Sequence, residues 1–155
     1  MLIGDLVSIL LTLAIAAFFA LPVTRAAYIS ANAATPLLLA FLKFALLATG
    51  GEILAWRMQR KTYRLNGFGL LPKMLLWGLF GMIIYWAFGI FSGGVPGLFP
   101  FLGTLQEPWR NILTAFAISL FLNLIFSPAF MLTHHLTDRF ITLHGGRFPL
   151  AKFNM

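Results

Sequence analysis

Residues 73–91 read KMLLWGLFGMIIYWAFGIF, with one Lys at the start and no further charge to Phe91. A helix that crosses a membrane needs about 20 mostly apolar residues, because it rises roughly 1.5 Å per residue through about 30 Å of hydrocarbon. In lipid the backbone must satisfy its own hydrogen bonds, so this stretch predicts a spanning helix. Three other runs have the same character. Leu2 to Leu21 carries Asp5 near its start, Thr35 to Trp56 is interrupted by Lys43 and Glu52, and Ile112 to Leu132 holds Asn123 and Pro128. The reading is an all-α polytopic integral membrane protein, a single transmembrane domain over residues 1–155 with four spans at about 2–21, 35–56, 73–91 and 112–132. A membrane barrel would need alternating strands of about ten residues, and the sequence has no such alternation.

Composition agrees. Of 155 residues, 60% are hydrophobic and 10% charged, whereas soluble domains carry roughly 25% charged residues. This excludes a disordered tail, a coiled coil and an ordinary cytosolic domain. With no Cys, the chain has no disulfide, thiol catalyst or Cys-ligated metal. The first run could also be read as a signal peptide cleaved near Ala31-Asn32-Ala33. Its amino end carries Asp5 and neither Lys nor Arg, and a secretory signal calls for a basic start, so a retained span is the preferred reading.

Lys plus Arg is 11 against 4 acidic residues, a formal net charge of +7. With four spans, the two termini and the second loop share one side of the membrane. That side holds Arg57, Arg60, Lys61, Arg64, Lys73, Arg139, Arg147 and Lys152, while Arg25 and Arg110 lie on the other. The bias predicts that both termini face the cytoplasm or its equivalent, in a bacterial inner (plasma) membrane or an organelle membrane. The excess charge serves topology and anionic lipid, at about 1 kcal/mol per basic side chain, rather than nucleic acid. The third loop, Ser92 to Pro108, is rich in Gly and Pro and predicts an irregular hydrophobic segment at the outer interface. Trp56 and Trp109 suit the two interfacial aromatic belts.

Polar residues inside a membrane are costly and mark function or packing. Ala45, Ala48, Glu52, Ala55 and Gln59 recur at three- and four-residue steps, on one helical face. Gly78 and Gly81, then Tyr85 and Gly89, repeat the theme in the third span, and Ala115, Ser119, Asn123 and Ser127 do so in the fourth. Such stripes let helices pack closely and hydrogen-bond across lipid. The candidate pore-lining or helix-packing residues are therefore Lys43, Gly51, Glu52, Gln59, Gly78, Gly81, Ser119, Asn123, Ser127 and Pro128.

Glu52 has two readings. It lines a polar path for a cation or proton, or it reaches the basic surface, where Arg57 is about 7.5 Å further along the axis. Lys43, about 12 Å inside the other end, lies on the opposite face from Glu52 and needs a partner of its own, a polar cavity or a shallower position. Asn123 beside Pro128 either lines a cavity or makes an interhelical hydrogen bond at a packing kink, with Ser127 re-satisfying freed carbonyls. His134 and Asp138 are one turn apart and could share an ion, but two ligands are too few for a structural zinc site. No metal or cofactor is expected. Catalytic signatures such as Gly-x-Ser-x-Gly, a phosphate-binding loop or a dinucleotide fingerprint are missing, and the scattered acidic residues form no evident acid/base pair. The sequence does not argue for an enzyme.

These stripes carry a resemblance. Ala48-Thr49-Gly50-Gly51-Glu52 with Gln59 is similar to the opening helix of the Mpv-seventeen type, or twenty-two-kilodalton peroxisomal membrane protein, family, which has Gly-Asp and then Gln. Gly78, Gly81, Tyr85 and Trp86 look like its second helix, with Met82 in place of Pro. Asn123, Phe126 and Pro128 resemble its third, with Leu122 at the position of an Asp. The resemblance covers roughly residues 35 to 140. The family's Trp-, Pro-, Gln- and Asn-Phe-rich final helix has no counterpart in these residues, and the run Leu2 to Leu21 precedes the match, which implies a shortened or divergent relative or a fragment. The resemblance further implies a small integral membrane protein, some members being weakly selective channels for small solutes. The leading expectation is thus a small channel or solute-permeability protein, a homo-oligomer in the lipid bilayer passing a small solute or ion. The alternative is a non-conducting packing or assembly subunit.

Overall fold

The computed structural model describes residues 2–147. Lys152, counted above among the basic residues of one side, lies outside them. The fold is all-α. Helices α1 (Leu2–Ala20), α2 (Pro22–Ala34), α3 (Pro36–Arg60) and α4 (Leu70–Leu98) are followed by a 3-10 turn (Pro100–Thr104). Helices α5 (Trp109–Phe121) and α6 (Ser127–Leu143) are joined by a π turn over Leu122–Phe126. Four segments are long and apolar enough to cross a membrane: Ile3–Ala20, Pro36–Arg60, Leu70–Leu98 and the combined Trp109–Leu143.

The helices outrun the apolar windows. Helix α4 has 29 residues, about 44 Å of rise. The expected irregular loop from Ser92 is helical to Leu98, and Pro96 lies within it. An apolar environment favours helix over unpaired backbone, and burial of Val95 and Leu102 fastens the segment to the bundle. The connection between the first two spans is also helical, as α2. At its start the Thr24 hydroxyl donates to the carbonyls of Phe18 and Leu21, and Phe19 meets Tyr28 edge-on at 5.2 Å between ring centroids.

Helices α3 and α4 form the most extensive pair, running antiparallel. Glycine makes the approach possible. A Cβ at Gly78 would lie 2.4 Å from the Phe41 ring, and one at Gly81 would lie 2.5 Å from the Ala40 carbonyl oxygen. Without a hydrophobic drive between helices in lipid, such close backbone packing is the main source of association. Ala40, Ala45 and Thr49 complete the buried line on α3. Helix α6 returns along α4, where Phe80 packs edge-on against Phe130 at 5.2 Å. The π turn precedes Pro128, whose missing N–H opens the helical ladder.

One tight turn ties the ends. Gly69 has φ +76°, and an added Cβ there would meet Ile141 at 2.4 Å and Gly146 at 3.1 Å. Only glycine combines this backbone conformation with this approach. Phe68 and Ile141 are accordingly buried, and the α3–α4 connection clasps the end of α6.

Candidate functional site

Helix α4 begins at Leu70, three residues before the apolar window, so Lys73 sits in its first turn and is buried. Sequence reading places it among the topology-setting charges at the start of the third span; it is instead buried against other helices. Its ammonium group lies 2.6 Å from Glu52 Oε2 on α3 and also pairs with Asp138 Oδ1 on α6. One cation thereby joins three helices. The Trp77 indole N–H donates to Glu52 Oε1 at 2.7 Å, and His134 Nε2 stands 3.7 Å from the same oxygen. The Lys73 ammonium also lies 4.5 Å from the Phe68 ring centroid, a cation–π contact.

Removing charges from water is costly unless they are paired and their remaining valences satisfied. Glu52 meets that condition: Lys73 engages one oxygen and Trp77 the other. The void bounded by Glu52, Lys73, Trp77, His134 and Asp138 is about 10 Å³. That is room for about one water molecule. Next to it Trp77, Phe80, Phe126 and Phe130 pack on one another with ring-centroid separations of 5.2 to 6.5 Å, and Phe80, Phe126 and Phe130 also line an apolar groove of about 380 Å³.

A second polar knot lies at the same end of the bundle. Arg57 donates to both oxygens of Asp5 on α1, at 3.0 and 2.9 Å. This is the planar bidentate pairing that guanidinium favours. Tyr63 donates to Asp5 at 3.0 Å, and its hydroxyl lies 2.9 Å from Ser8 Oγ. Glu52 therefore does not turn to Arg57, as one reading of it expected; each has a partner on another element.

The other sequence candidates are dispersed. Lys43 finds Asn32 Oδ1 at 3.5 Å and stands 5.4 Å from the Tyr28 ring centroid. Gly78 and Gly81 face α3, while Gly51 has no atom within 4 Å of where a Cβ would be, and Gln59 is exposed. Ser119 and Asn123 are exposed, and Pro128 is exposed beside a half-buried Ser127. Among the described residues, Asn123 bonds only within its own helix, donating to the Ser119 carbonyl at 2.8 Å and accepting from Ser127 at 3.3 Å. The interhelical hydrogen bond expected for it is not made. Its bonds belong to the widened turn next to Pro128, and its stripe faces away from the bundle.

Sequence reading overlooked Lys73, Trp77 and Asp138 as one unit and set His134 aside. The available signal was the four-residue spacing of His134 and Asp138, which places both on one face of α6. Among the described residues, no group of three or more His, Asp or Glu side chains is arranged to hold a metal. Comparison with protein-family models, curated proteins and solved structures finds no match to this chain.

Proposed function

We propose that this chain is a non-conducting packing or assembly subunit of a membrane, in which the charged residues of the spans serve to hold helices together. The observation that carries this reading is the closure around Glu52. The acid best suited to line a path is held by Lys73 and Trp77, beside a void of about 10 Å³ and beneath an aromatic block. A solute path through one copy would have to break this ion pair and part those rings. The concentration of Arg60, Lys61, Arg64, Arg139 and Arg147 at that end supports a cytoplasmic placement of both termini.

A second reading, a weakly selective channel, draws on the resemblance of residues 35 to 140 and on one observation. Ser119 and Asn123 are exposed within an apolar span, so several copies could bring them together around a shared axis. In that reading the conducting unit is an oligomer and Glu52 remains structural.

Purified protein in liposomes, beside Glu52→Gln, separates the two. The packing reading expects silent bilayers and no solute leakage from either protein, with Glu52→Gln losing thermal stability in detergent. Discrete conductance from the folded wild type would overturn it, and a changed ion selectivity in Glu52→Gln would return Glu52 to a pore.

A further inference from the structure

Helix α1 is fastened at both ends and stands away from α3 between them. At one end Asp5 and Ser8 meet Arg57 and Tyr63, and at the other Phe19 meets Tyr28 of α2. Between these fastenings no residue of the span Ile3–Ala20 is buried. The space is an apolar groove of about 510 Å³, walled by Leu11, Ile15 and Phe18 on one side and Leu39, Leu42 and Leu46 on the other. Its volume lies within the roughly 300–1,000 Å³ usual for small-molecule sites. The lining runs eight residue steps along each helix, about 12 Å.

One wall carries a charge midway along its length. Lys43 lines the groove, and its nearest polar partner is the neutral amide oxygen of Asn32 at 3.5 Å. Among the described residues no acid is free to serve as its counter-ion. The chain has 4 acidic residues, and each is paired elsewhere: Asp5 with Arg57, Glu52 and Asp138 with Lys73, and Glu107 with Arg110. A partly buried ammonium group without an anion, on the wall of an apolar groove, is complementary to an amphiphile with a negative head and a hydrocarbon tail.

We propose that the α1–α3 groove is a binding site for an anionic phospholipid, with one acyl chain lying between the helices and the phosphate at Lys43. The acyl chain supplies the packing that α1 lacks from protein. The headgroup supplies the charge that Lys43 lacks, with Asn32 beside it as a further donor.

The test uses the full chain in nanodiscs containing phosphatidylglycerol with a photoreactive group on the acyl chain, in competition with unlabelled phosphatidylglycerol or phosphatidylcholine of the same chains. Crosslinks should concentrate on residues 11–19 and 39–47, and unlabelled phosphatidylglycerol should compete at least fivefold better than phosphatidylcholine. Lys43→Gln should remove most of that preference and Lys43→Arg should restore it. Arg60→Gln, at the opposite end of α3, should leave groove labelling unchanged, which separates the site from general attraction to the basic surface. Labelling spread evenly over other exposed residues such as Ile83 and Ile90 would overturn the proposal. So would equal competition by the two lipids, or chain-to-chain crosslinks through α1 that exclude lipid and make a second copy the occupant.

Discussion

Helices α1 and α4 are both long and apolar, and α1 is the more hydrophobic, yet their surroundings are opposite. The span of α1 has no buried residue, whereas α4 buries Lys73, Gly78, Phe80, Gly81, Ala87 and Val95. Lipid tails satisfy Leu and Ile as well as another helix does, so hydrophobicity brings a helix into the membrane without choosing its neighbours. The choice is made by small and charged residues. Helix α4 has glycines that admit Phe41 and the Ala40 backbone, and a lysine that draws in Glu52 and Asp138. Helix α1 has one acid near its start, and its fastenings lie at its two ends rather than along its length.

The strongest way to break the contrast is to remove the cation. Lys73→Met should leave two carboxylates facing each other without a counter-charge and lower stability by about 3–5 kcal/mol. Thermal unfolding in detergent measures this, and an unchanged midpoint would mean that the ion pairs are ornamental to the bundle. The next effect concerns backbone approach. Gly81→Leu has no space against the Ala40 carbonyl and should cost about 1–3 kcal/mol or more, whereas Gly51→Ala meets nothing and should be neutral or gain up to about 1 kcal/mol from helix propensity. Similar outcomes for the two substitutions would remove glycine packing as the basis of the α3–α4 pair. The smallest global effect belongs to α1. Asp5→Asn should lengthen and broaden spin-label distances between α1 and α3 while leaving the unfolding of the remaining helices nearly unchanged. A rigid, unmoved α1 would show that other forces hold it.

How far the sequence disclosed this arrangement follows the same division. Four apolar runs separated by charges were enough for the helical class and the number of long apolar helices, because each run reports its own environment. Gly78 and Gly81 were visible as a small-residue pair, but Phe41 as their occupant was not, since that depends on the register of two helices. The central trio was hidden for the same reason. Glu52 and Lys73 are 21 positions apart, and Asp138 comes from a third helix, so local periodicity cannot pair them. Lys73 also stood at the edge of an apolar window, where a lysine ordinarily reads as a loop charge. The length of α4 was underestimated because Gly93, Gly94 and Pro96 act as breakers in water, while lipid and burial of Val95 favour continuing the helix. The Ser119–Asn123 stripe was legible as polar, but only the fold gives its outward direction.

The central claim is that Lys73 acts as one hub shared by α3 and α6. A double-mutant cycle on Lys73→Met and Glu52→Gln, repeated with Asp138→Asn, tests it most directly through detergent unfolding free energies. The account predicts non-additive cycles, with a coupling of at least about 0.5 kcal/mol for each pair, because either partner's loss changes the worth of the other. Strict additivity in both cycles, with each single variant as stable as the wild type, would contradict it.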